Sequence, residues 1–101
     1  MKIIVLAGGT STEREISIVS GSGVCRALRA RGHRAALLDV FFGCGEEEAR
    51  RAFDQEYDVD RAEAVMKEKS AELAETLKTR REFFGPWVLR LCQEADVVFL
   101  A

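Results

Sequence analysis

Lys2-Ile3-Ile4-Val5-Leu6-Ala7-Gly8-Gly9 opens the chain and decides its fold class. Ile3 to Ala7 is an unbroken apolar run, rich in β-branched side chains and closed by two glycines. A strand with one wet face would alternate polar and apolar residues. A run without alternation reads as a strand buried on both faces, as in a parallel sheet covered by helices. Beyond the glycines, Thr12 followed by Glu15 fits a capping box, each side chain satisfying the other's free backbone N–H. Ile16, Val19, Gly23, Val24, Ala27 and Leu28 then recur at helical spacing and predict an apolar stripe. Gly32 is a natural helix stop, and Ala35 to Val40 reads as a second buried strand. Strand, helix and strand form a βαβ unit with a right-handed crossover.

Asp96-Val97-Val98-Phe99-Leu100-Ala101 has the character of the first strand and predicts a third parallel one. The expected architecture is α/β, a three-layer Rossmann-like domain with a short parallel sheet and a helical insertion between strands two and three, at about residues 42–93. Within that insertion, Glu46 to Phe53 predicts a short helix. Asp60 with Glu63 marks another start, for a helix running to about Arg81. Pro86 to Gln93 predicts a last short helix, with Pro86 in its first turn. Phe83, Phe84 and Trp87 are expected to pack this connection onto the sheet edge, or else to form a patch for a partner. The outer strands of such a small sheet would leave unpaired edges, which predicts self-association.

The 101 residues fit one domain, and 48 % apolar content suffices for a core. A formal net charge of −2 gives no electrostatic reason to expect nucleic acid or a membrane surface as partner. Arg26, Arg29, Arg31 and Arg34 read as the basic end of a helix. Cys25, Cys44 and Cys92 are too scattered for a disulfide framework or a zinc site, and suit a reducing cytoplasm as small buried hydrophobes. His33, after Gly32, reads as a surface turn residue. The opening apolar run is too short for a signal peptide or a membrane span.

In an open parallel sheet, ligands bind beyond the carboxyl ends of the strands, which here is Gly8-Gly9-Thr10-Ser11-Thr12-Glu13-Arg14-Glu15. The glycines admit close approach to the backbone, and a helix start offers free N–H groups. The loop is neither G-x-G-x-x-G nor a P-loop. Glu15 has the capping task. Glu13 is free either to complement the helix dipole or to accept hydrogen bonds from a substrate ammonium group. Asp39 occupies the place of a ribose-binding acid in dinucleotide folds, but without the glycine fingerprint it reads as a strand-end turn residue.

Lys2 to Ser17, continuing to Ser20-Gly21, resembles the amino-terminal signature of D-alanine–D-alanine ligases, ATP-grasp enzymes of bacterial cell-wall synthesis. The family pattern G-G-x-S-x-E-R-E-[VI]-S-x-x-S-G is met at every fixed position. Ala95 to Ala101 resembles the strand that leads into a Leu-His-Gly motif in that family, and the helical middle is longer than in its commonest members. The resemblance implies a pre-ATP-grasp domain at 1–101, the first of a longer cytoplasmic enzyme and inactive by itself. It implies that Glu13 anchors the amino group of the first D-alanine, that Ile16 touches its methyl group, and that Gly8, Gly9 and Ser11 shape the pocket. It further implies a homodimer, and ATP with Mg²⁺ bound by domains outside this chain. There the carboxylate of one D-alanine is phosphorylated and attacked by the amine of the second. D-lactate and D-serine remain open as second substrates. A Rossmann-like nucleotide module using Asp39, and an interaction module built on the aromatic cluster, are the competing readings.

Overall fold

The computed structural model describes residues 1–101. The apolar run forms β1 (Lys2–Ala7), the central strand of a parallel sheet ordered β2-β1-β3, between β2 (Arg34–Asp39) and β3 (Val97–Leu100). In register, Ile4 lies beside Ala36 on one side and Val98 on the other. A central strand covered on both faces must be apolar at every position, and Ile4 and Val5 are wholly inaccessible.

Strand periodicity divides the core in two. Ile3, Val5, Ala7, Ala35 and Leu37 face α1 (Arg14–Ala30) and α3 (Val59–Ser70). Ile4, Leu6, Ala36 and Leu38 face Ala52, which closes α2 (Glu46–Arg51), and Val88 and Leu91 of α5 (Val88–Glu94). A short α4 (Leu73–Leu77) completes the insertion. Helices on both faces of a parallel sheet make the expected three-layer α/β domain. At the α1 crossing, a Cβ on Gly21 would lie 2.8 Å from the Ala7 Cβ, so glycine allows the helix to sit that close.

Four details differ from the sequence reading. The buried line of α1 is Arg14, Ile18, Gly21, Ser22 and Cys25, whereas Ile16 and Val19 are exposed, as are Gly23 and Ala27. At 100° per residue two neighbouring stripes fit the same apolar pattern, and contact at Gly21 and burial of Arg14 select between them. Second, the helix expected to run to Arg81 breaks after Ser70, and α3 is capped by Asp58, whose carboxylate accepts from the Arg61 amide, not by Asp60. Third, Trp87 takes a left-handed conformation at φ 70°, which holds the last helix back to Val88. Finally, the aromatic segment clamps the turn after β2 rather than the sheet edge. Phe83 meets Phe41 edge-on, the Phe84 amide donates to Val40, and Phe84 itself stays exposed.

The arginines mostly tie α1 and β2 to the insertion. Arg26 pairs with Asp60 and Glu63, and Arg34 donates to the Phe53 carbonyl. Arg29 donates to the carbonyls of Ala35, Ala52 and Gln55 and stacks on Tyr57. The two sheet edges are consequently unequal. Along β2, the Tyr57 hydroxyl accepts from the Leu37 amide at 3.1 Å and donates to its carbonyl at 3.0 Å, while Arg29 covers the Ala35 carbonyl. This seals the edge that the sequence left open. All four residues of β3 are exposed, Leu100 at 74 %.

Replacing Tyr57 with Phe should cost about 1–3 kcal/mol in urea unfolding, because it strands both polar groups of Leu37. A pH effect follows from the thiols. Burial pushes Cys25 from 9.0 up to about 11, against the nearby Arg29 and Arg26, and raises Cys44 likewise. The unfolded chain therefore ionises first, so the contribution is complete below about pH 8.5 and lost as pH rises towards 11. Unfolding midpoints at pH 8 and 10.5 should fall less in Cys25→Ala than in the parent.

Candidate functional site

Gly8 and Gly9 end β1 with φ of 91° and 99°, a left-handed pair that turns the chain sharply out of the sheet. The loop they begin lies at the carboxyl ends of the strands, where a parallel sheet presents ligands. It is pinned at three points. The Gly8 amide donates to Ser17 Oγ at 3.0 Å, and the same hydroxyl donates to the Ala101 carbonyl beyond β3. Ser11 Oγ accepts from the Glu13 amide at 3.1 Å, and its carbonyl accepts from the Arg14 amide. The Gly9 carbonyl accepts from Arg14 Nη1 at 2.9 Å.

This wiring replaces the expected capping box. Glu13, not Thr12, is the N-cap, and neither it nor Glu15 makes a side-chain capping bond. The serine turn takes up the first amides, since short hydroxyl side chains compete for nearby backbone donors. Glu15 is therefore an exposed acid in the first turn, favourable to the helix dipole. Glu13 is also exposed, and its carboxylate has no hydrogen-bond or ion-pair partner in the chain. Ile16 follows on the exposed side of α1, at 63 %. Gly8, Gly9, Ser11, Glu13 and Ile16 thus share one end of the sheet, with Glu13 and Ile16 open to solvent.

The buried Arg14 is the feature the sequence did not reveal, and its partner is Asp39. Both are about 3 % exposed, and they form an ion pair at 2.5 Å. Asp39 Oδ1 also accepts from the amides of Phe41 and Phe42, which folds the chain over at the end of β2. With both oxygens occupied, Asp39 has nothing to offer a ribose, so the nucleotide reading loses its acid. The strand-end turn role is the one its contacts fulfil. A run of acids and bases at 13–15 carries no local sign that its middle member goes inside. The one available signal is a charged residue at the start of a helix facing a strand-end aspartate.

Two surface depressions lie away from the loop. One, of about 500 Å³, is lined by Asp54, Gln55 and Glu56. The other, of about 400 Å³, involves Lys2, Phe53, Trp87 and Arg90 near the start of β1. No three His, Cys, Asp or Glu side chains form a group that could hold a metal ion. No helix is long and apolar enough to cross a membrane.

A family model described as D-ala D-ala ligase N-terminus matches residues 2–101. The chain belongs to the D-alanine–D-alanine ligase amino-terminal family. Its relatives include proteins named D-alanine–D-alanine ligase from Lacticaseibacillus casei, 38 % identical, and Pediococcus pentosaceus, 40 % identical. Both alignments cover all of this chain and 29 % and 30 % of those proteins. A ligase of the same name from Coprothermobacter proteolyticus is 59 % identical over 40 residues, covering 40 % of the chain and 13 % of that protein. The chain therefore spans under a third of the length of the ligases it matches end to end. No solved structure matched it.

For this ligase-family domain, Asp39→Ala should lower unfolding free energy by about 3–5 kcal/mol, because it leaves the Arg14 charge buried without its partner. Urea denaturation with an unchanged slope would check this.

Proposed function

We propose that this chain is the substrate-binding amino-terminal domain of a cytoplasmic, homodimeric, ATP-dependent D-alanine–D-alanine ligase of peptidoglycan precursor synthesis. Its loop at Gly8–Glu13 holds the first D-alanine. The observation that carries the reading is the contrast between neighbours at one loop. Arg14 is buried and fully bonded, whereas Glu13 is exposed with a carboxylate that nothing in the chain engages.

A carboxylate without a partner, fixed at the backbone by the Ser11 turn, suits an ammonium group, which offers charge-assisted hydrogen bonds. Ile16, next along the exposed side, supplies an apolar contact for a methyl group. Gly8 and Gly9 keep side chains away from the space above the strand ends, and Ser11 fixes the curvature of the loop. Together these groups would hold a small D-amino acid by its amine and leave its carboxyl end free. Bringing two small molecules into attack geometry is mainly a matter of position, so an anchored amine supplies much of what such a reaction needs.

The family reading implies ATP and Mg²⁺ for the whole enzyme, and the residues present here do not fit either. The loop lacks a phosphate-binding glycine pattern, Asp39 is internally satisfied, and no acidic cluster of metal-binding form exists. This chain's share of the reaction is binding and orientation. D-lactate or D-serine as the second substrate is compatible with the same first-site loop.

Glu13→Gln in the intact ligase carrying this chain should raise KM for the first D-alanine about 10- to 100-fold, the equivalent of losing a hydrogen bond to a charged group. Steady-state phosphate release with ATP, Mg²⁺ and D-alanine measures it. Unchanged kinetics would reduce Glu13 to a dipole-complementing acid, and absence of D-alanine-dependent turnover in the parent would remove the ligase reading itself.

A further inference from the structure

Arg14 is bonded through its whole guanidinium. Nε donates to Ser70 Oγ at 2.8 Å, Nη1 to the Gly9 carbonyl at 2.9 Å and to Asp39 Oδ1 at 3.2 Å, and Nη2 to Asp39 Oδ2 at 2.5 Å and to the Met66 carbonyl at 3.1 Å. Arginine has five N–H donors, and here each has an acceptor. The group also lies over the Phe42 ring at 5.2 Å, and a Cβ on Gly8 would come within 2.9 Å of Nη1. Three parts of the chain meet on this one plane: the glycine loop, the end of β2, and the last turn of α3.

From this geometry we propose that Arg14 is a positioning residue through which α3 of the helical insertion sets the conformation of the Gly8–Glu13 loop, and so tunes its grip on substrate. The substrate half of this statement rests on the D-alanine reading above. The guanidinium is planar and rigid, so a shift of Met66 or Ser70 tilts the plane and carries the Gly9 carbonyl with it. Asp39 fixes the plane from the sheet, which leaves α3 as the adjustable side. Ser70 Oγ itself donates to the Met66 carbonyl, so the two α3 contacts move together. Arg14 directly follows Glu13 in the chain, so a change in its seating reaches the exposed carboxylate through one peptide unit. The insertion is thereby part of the loop's support and not a passive addition on the far side of the domain.

The test uses the intact ligase carrying this chain, with Ser70→Ala, Arg14→Lys and, as a control, Val59→Ala. Val59 is a core residue at the opposite end of α3 and makes no hydrogen bond to Arg14 or to the glycine loop. Amide hydrogen exchange at Gly8, Gly9, Ser11 and Glu13 is read without substrate, alongside Tm, KM for the first D-alanine, and kcat. Ser70→Ala is expected to speed loop exchange about fivefold or more and to raise KM about three- to tenfold with little change in kcat. Arg14→Lys, with three donors and no fork, should do the same or more. Val59→Ala should lower Tm while leaving loop exchange and KM near the parent's. Loop exchange unchanged in Ser70→Ala, or changed equally by Val59→Ala, would overturn the proposal, since the effect would then be absent or a matter of general stability. If the parent shows no D-alanine dependence, the substrate reading fails while the exchange comparison still decides the coupling.

Discussion

An arginine taken out of water must find acceptors for all its donors or cost the fold several kcal/mol. Arg14 meets that constraint by drawing the Gly9 carbonyl, the Asp39 carboxylate and the end of α3 around one guanidinium. Much of the loop end of the domain follows from it. α1 must rotate so that its first residue faces inward, the loop after β1 must double back over the charge, and β2 must end on an acid. The glycines at 8 and 9 then serve two purposes. They take up the left-handed turn, and at Gly8 the absence of a Cβ leaves room for Nη1.

The remainder of the fold obeys the demands of a parallel sheet. A central strand buried on both faces requires a helical layer above and below, so α1 and α3 cover one face and α2 and α5 the other. Close contact between α1 and the sheet depends on Gly21 meeting Ala7, two small residues at one crossing. Such a sheet has two vulnerable edges, and the insertion deals with one of them. Tyr57 and Arg29 occupy the outward groups of β2, and aromatic packing around Phe41 closes the turn beyond it. The opposite edge, β3, carries exposed Val97, Phe99 and Leu100 in the same molecule. One side of the sheet is finished by side chains and the other is presented.

This division of labour gives the insertion a place in the site's economy. It shields β2, neutralises Arg26 through Asp60 and Glu63, and supplies two of the acceptors for Arg14. A segment whose own sequence has an indistinct helical pattern is thus held by polar contacts to elements that are well defined. The loop it supports ends on the exposed, unpaired carboxylate of Glu13, beside a buried and saturated cation. Adjacent residues of opposite charge have been sent to opposite environments, and the chemistry offered to a ligand follows from that separation.

Sequence alone determined the α/β class, the three strands, the βαβ unit and the position of the glycine loop. Each of these rests on local pattern: unbroken apolar runs, glycine punctuation and a family signature concentrated between Lys2 and Gly21. It did not determine which face of α1 is buried, because Ile16–Val19 and Ile18–Cys25 satisfy helical periodicity equally well. Nor could it tell that Thr12 and Glu15 would forgo their capping bonds, since a turn around Ser11, which accepts the Glu13 and Arg14 amides, shifts the N-cap from Thr12 to Glu13. The burial of Arg14, the occupation of Asp39 and the sealing of β2 by Tyr57 were decided only in three dimensions. The Arg14–Ser70, Arg14–Asp39 and Tyr57–Leu37 contacts join residues 56, 25 and 20 positions apart, and no local pattern encodes a partner at such distances. The choice among them is made by the requirement that every buried polar group be satisfied at once.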